Sequence, residues 1–182
     1  MTEAPGNAVR YPVRTRFLHW LSAVLIFAGL FVGFVMVNSI GSYRTLVGLH
    51  MTLGVTILTI AVVRIANRST QRAVTLPDTV GRFEHKLVVG SELSLYILML
   101  AQPLVGWAMV SASGRPVIVF GAVRLPPIAP FDANLFFALR QTHSILAYVL
   151  VAVIAAHVSA VLLHTLTLRD HMLSRMTFAR RG

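Results

Sequence analysis

Three histidines stand where polar side chains are costly. His143, His157 and His164 lie in residues 141–171, a run that is otherwise largely apolar. Their separations are 14 and 7 residues. At about 100° per residue, 14 residues fall roughly 40° short of four full turns, and 7 residues roughly 20° short of two. The three imidazoles therefore leave one helix from nearly the same stripe. With a rise of ~1.5 Å per residue, His143 and His157 sit about 21 Å apart along its axis. One helix offering nitrogen ligands at two depths suits two stacked metal centres, provided other segments supply partners at the same depths.

The elements that must position such partners are long and apolar. The chain has 182 residues, 56% of them hydrophobic and 12% charged, with a mean hydropathy of +0.75. That balance is too apolar for a soluble domain of this size. Apolar runs cover residues 17–37, 46–63, 87–110 and 139–168. Each has about 18 residues or more, enough to cross a bilayer core of ~30 Å as a helix. The expectation is one domain, residues 1–182, an all-α integral membrane four-helix bundle. Its transmembrane helices are expected near residues 15–38, 44–66, 85–111 and 138–168. Cysteine is absent, which excludes disulfides, thiolate ligation and iron–sulfur clusters. A redox metal here must rest on His, Met or oxygen ligands.

Net charge is +10, but the basic residues flank the spans, so the charge argues for membrane topology and against nucleic acid. Twelve of the sixteen Lys and Arg residues fall on the side shared by the N-terminus, the 64–86 connection and the C-terminal tail. The positive-inside bias puts that side, with both termini, in the cytoplasm. The first span is too long for a cleaved signal, and no small-residue cleavage site follows it. The other side carries Arg44, Arg115, Arg124 and Arg140. Most arginines there contact headgroups, but a cluster can also draw in a small anion. Residues 111–138 form a connection too apolar for a solvated linker and are expected to fold over the outer end as a lid.

Two further histidines complete the layers. His19 follows Arg16 near the inner end of the first span and precedes Trp20, an interfacial residue. His50 sits near the outer end of the second span, with Gly48 and Gly54 beside it. By depth, His50 matches His143, and His19 matches His157. Two pairs at two depths, each from two helices, meet the requirement for bis-imidazole ligation of two b-type haems. A planar macrocycle takes its axial ligands from opposite sides. Zinc competes poorly, because neither layer offers a third protein ligand. His164 is left at the inner interface. It could replace His157, but that stretches the metal spacing to about 31 Å; otherwise it is free to donate to a quinone carbonyl. Glu92 is an intramembrane carboxylate, suited to a proton path, a quinone contact or a basic partner. His85 and His171 adjoin charged residues and read as solvated.

These residues carry a resemblance. Arg16-x-x-His19-Trp20, His50 opening span 2, the loop Gly114-x-Pro116…Phe120-Gly121…Leu125-Pro126, and His143-x13-His157-x6-His164…Arg169-Asp170…Arg175-Met176 resemble the prokaryotic cytochrome b561 family over nearly the whole chain. The resemblance implies a multi-pass cytochrome of the bacterial inner membrane with two haem b groups. It places His19 with His157 on the inner haem and His50 with His143 on the outer one. It further implies superoxide oxidase activity: superoxide gives up its electron at the outer face and ubiquinone is reduced. Arg44, Arg115, Arg124 and Arg140 would then steer superoxide. His164, with Arg16 and Trp20 as neighbours, would meet the quinone.

A rival of another class is a haem-b relay and membrane anchor, loaded by a partner dehydrogenase or hydrogenase docked on one face. The rate of reduction by superoxide separates the two. A third alternative, a transporter or structural membrane protein without haem, is separated by the visible spectrum.

Overall fold

The computed structural model describes residues 11–39, 41–70, 82–163, 165–166 and 176–177, with side chains omitted for residues 82–88. Four helices carry the fold: α1 (Val13–Asn38), α2 (Tyr43–Ser69), α3 (Arg82–Ala112) and α4 (Ala133–Leu163). Each contains a stretch long and apolar enough to cross a membrane. In hydrocarbon no water satisfies backbone groups, so a helix that pairs them internally is the stable choice. Hydroxyls inside the spans follow the same rule: Thr52, Thr56 and Thr59 donate to carbonyls one turn back.

The apolar surface faces outward. Phe31 and Phe34 on α1 are 67% and 71% exposed, and Tyr148 on α4 is 79% exposed. In water such a surface would aggregate; in a bilayer it is the solvated face. The buried cluster is small: Ile26, Ala61, Leu98, Met99 and Leu150, with Ile57, Leu146, Val153 and Ile154 against it. Leu150 is seven residues from both His143 and His157. The core is therefore an apolar layer between the two histidine levels.

Neighbours in sequence are neighbours in space. The helix α1 packs on α2, α2 on α3 and α3 on α4, while α4 makes no comparable backbone approach to α1 or α2 among the described residues. Asn67 Nδ2 donates to Thr15 Oγ1 at 3.0 Å, tying the inner ends of α2 and α1.

The outer connection is a lid with its own structure. Strands β1 (Val117–Val119) and β2 (Val123–Leu125) pair antiparallel, adding a hairpin to the expected all-helical bundle. Phe120 and Gly121 make the turn with φ of 53° and 74°. A bulky residue at positive φ is strained, and here the Phe120 N–H is held by Thr52 Oγ1 at 3.1 Å. Val117 and Val119 point into the bundle and are buried. Trp107 Nε1 donates to the Pro126 carbonyl at 3.0 Å, and the Ile128 N–H to Ser111 Oγ at 3.2 Å. Asp132 then caps α4: its Oδ1 accepts the Leu135 N–H at 2.8 Å. That cap satisfies an otherwise orphaned N–H, and it starts α4 at Ala133, ahead of the apolar run expected from about 138.

Candidate functional site

Each histidine named from spacing sits on the helix expected, and the helices bring them together in two facing pairs. At the outer level, His50 of α2 faces His143 of α4 with ring centroids 6.1 Å apart and planes at 84°. At the inner level, His19 of α1 faces His157 of α4 at 6.5 Å and 51°. His164 and His171 lie outside the described residues, as does the side chain of His85.

The outer pair is bedded on glycine. A Cβ at Gly33 of α1 would stand 3.1 Å from His50 Cε1, and one at Gly106 of α3 would stand 3.0 Å from His143 Cε1. The space for His50 thus comes from Gly33; Gly48 meets nothing within 4 Å and Gly54 approaches Pro103 instead. Gln102 Nε2 donates to the His143 carbonyl at 3.1 Å and lies 3.4 Å from its Nε2. Gln102 and Gly106 are one turn apart on α3, so one face of that helix cradles His143. Spacing of the histidines alone missed both. The signal was present as a polar and a small residue at i and i+4 inside an apolar run.

The inner pair has charged neighbours. Arg64 Nη2 approaches His19 Nδ1 at 3.5 Å. The Arg64 guanidinium lies over the Tyr96 ring, 5.2 Å from its centroid, with Arg68 at 5.9 Å. Arg68 pairs with Glu92, so of the roles open to that carboxylate the structure displays the basic partner. Trp20 sets its ring edge-on to His19 at 5.6 Å. Both Trp20 and Arg16 also hold the C-terminal segment: Trp20 Nε1 donates to the Met176 carbonyl at 3.0 Å and Arg16 Nη1 to the Thr177 carbonyl at 2.7 Å.

The four outer arginines separate into groups. Arg44 and Arg115 share a cavity of about 680 Å³ between the start of α2 and the hairpin, with Tyr43, Met51 and Ile118. Arg115 and Arg124 share a second, of about 340 Å³, under the proline-rich strap. Arg140 lines neither; it is exposed on α4, one turn before His143.

The pairs fit an iron macrocycle. Two imidazole nitrogens each about 2 Å from one metal ion put ring centroids about 6 Å apart, which matches both levels. Axial ligation tolerates either tilt, because each ring can turn about its own metal–nitrogen bond. Each pair also bridges helices that do not otherwise pack, leaving room for a flat group between them. Among the described residues, the buried Nδ1 atoms of His50 and His143 and Oε1 of Gln102 have no hydrogen-bond partner. Orphaned buried polar atoms are rare in finished interiors; a coordinated group with its own polar edge would account for them. No cluster of three or more His, Cys, Asp or Glu side chains suited to a metal ion exists among the described residues, which favours two-histidine axial ligation over a tetrahedral site.

Comparison with known proteins agrees with this arrangement. The family model described as prokaryotic cytochrome b561 matches residues 10–179. The chain is 28% identical over 171 residues to "Cytochrome b561 homolog 2" of Escherichia coli (strain K12), covering 92% of this chain and 90% of that protein. It is 34% identical over 88 residues to "Probable superoxide oxidase CybB" of Yersinia pestis, covering 48% of this chain and 49% of that one.

Proposed function

Because the chain belongs to the prokaryotic cytochrome b561 family, and so is a multi-pass membrane haem protein of electron transport, we propose that it is a superoxide oxidase that reduces ubiquinone. The observation that carries this reading is the pair of facing imidazole pairs, 6.1 Å and 6.5 Å apart. His50 and His143 hold an outer haem b, and His19 and His157 an inner one. When bound, each haem supplies a one-electron carrier, and the protein supplies ligands, insulation and potential.

The remaining steps belong to the chain's own side chains. Arg44, Arg115, Arg124 and Arg140 make the outer face positive and raise the local concentration of a small anion. Each superoxide loses one electron and leaves as dioxygen. Two electrons and two protons convert one ubiquinone to ubiquinol. The quinone binds at the inner end, where His164 donates to a carbonyl, with Arg16 and Trp20 nearby. Leu150 and its apolar neighbours keep water out of the layer between the two levels. The protein resides in the bacterial inner membrane with both termini cytoplasmic, as the basic bias of that side directs. The name of the Yersinia pestis relative supports the superoxide reading.

The test is stopped-flow reduction of the purified protein by superoxide across a salt series. A rate near the diffusion limit that falls as salt rises is expected. A slow rate that ignores salt would point instead to a haem relay and anchor for a partner dehydrogenase.

A further inference from the structure

The two histidine levels differ in the donor set beside them. At the outer level the ring of His143 is met by the neutral amide of Gln102 at 3.4 Å. At the inner level His19 is met by the guanidinium of Arg64 at 3.5 Å. The match of depth is built into the chain: Arg64 follows His50 on α2 by 14 residues, the same interval that separates His143 from His157 on α4. Arg64 therefore sits at the inner level for the reason His157 does.

Its charge also stands uncompensated by an ion pair. The carboxylate closest in this region, Glu92, is engaged by Arg68, and Arg64 forms no ion pair among the described residues. Arg64 is half-buried, held over the Tyr96 ring at 5.2 Å. A fixed positive charge in a medium of low dielectric acts strongly on a nearby redox centre, and it favours the state with one more electron.

Resting on the di-haem reading above, we propose that Arg64 is a positioning residue that makes the inner centre the electron sink and so sets the direction of flow from the outer face inward. In the step it biases, one electron leaves the outer iron and one arrives at the inner iron. No bond forms or breaks, and no proton moves. Arg64 contributes its charge, and its aromatic seat on Tyr96 keeps that charge from turning away toward the headgroups.

The experiment is an optical redox titration of the purified full-length protein, with haem content measured on each sample. In the wild type, His157→Ala is expected to remove the centre of higher potential and leave the lower one. Arg64→Gln is expected to keep two haems per chain and to weaken the reduced form of one by at least tenfold, which is about 59 mV for a one-electron couple. The other potential stays in place. Arg64→Lys, which keeps the charge, is expected to restore most of the wild-type value. The proposal is overturned if Arg64→Gln moves neither potential, moves both equally or costs a haem, the last making Arg64 an anchoring cation. It is equally overturned if His157→Ala removes the centre of lower potential. A wild type lacking two haems would fail the underlying reading, and the haem assay reports that separately.

Discussion

The imidazoles of His50 and His143 face each other at 6.1 Å, and each rests on a glycine from a third or fourth helix, Gly33 for His50 and Gly106 for His143. All four helices therefore contribute to one level of the site. That convergence makes the outer pair sensitive both to loss of a ligand and to gain of a methyl group.

Loss of a ligand is the direct case. His143→Ala is expected to remove the outer haem and His157→Ala the inner one, each halving the haem-to-protein ratio in a pyridine haemochrome assay. Retention of two haems by either variant would show that the pairing is wrong.

Gain of a methyl is the subtler one. A Cβ at Gly106 would lie 3.0 Å from His143 Cε1, so Gly106→Ala must displace the ring or strain α3. Overpacking of this kind typically costs about 1–3 kcal/mol. Lower occupancy of one haem is expected, seen as partial loss of one component in the reduced spectrum. Gly48→Ala, which meets open space within 4 Å, serves as the matched control and should keep the wild-type spectrum.

Charge at the outer face should govern encounter with superoxide. Arg44→Glu and Arg115→Glu reverse two charges that share one cavity. A fall of roughly tenfold in the second-order rate at low salt is expected, within the range attributable to steering. The variants and the wild type should converge as salt rises, because screening removes what the mutations removed. A deficit that persists at high salt would mean that these arginines act by contact and not by field.

His164→Ala is expected to retain both haems and to slow reoxidation of the reduced protein by a water-soluble ubiquinone analogue. Loss of a haem would identify His164 as a ligand in place of His157.

Asp132 offers a check on the fold independent of haem. Its side chain accepts the Leu135 N–H at 2.8 Å as the cap of α4. Asp132→Ala is expected to cost about 1 kcal/mol, read as a lower midpoint of thermal unfolding in detergent, with the spectrum unchanged.

What the sequence determined by itself is the content of each helix. Length and apolarity specified four spans, since hydrocarbon leaves the backbone no partner outside its own helix. The 14-residue interval put His143 and His157 on one stripe at two depths, since helical periodicity is a property of a single chain segment. Depth alone then matched His50 to His143 and His19 to His157. Which other residues surround those rings is a different kind of fact. It depends on how each helix is rotated about its own axis and which helices adjoin, and packing across the bundle sets both. Only the tertiary structure turned Gly33, and not Gly48, toward His50. It also faced Gln102 and Gly106 to His143, brought Arg64 of α2 against His19 of α1, and paired Arg68 with Glu92. It folded the lid as a hairpin pinned by Thr52 as well. A histidine's depth is local and survives in the one-dimensional text; its neighbours are non-local and appear only when four helices commit to one arrangement.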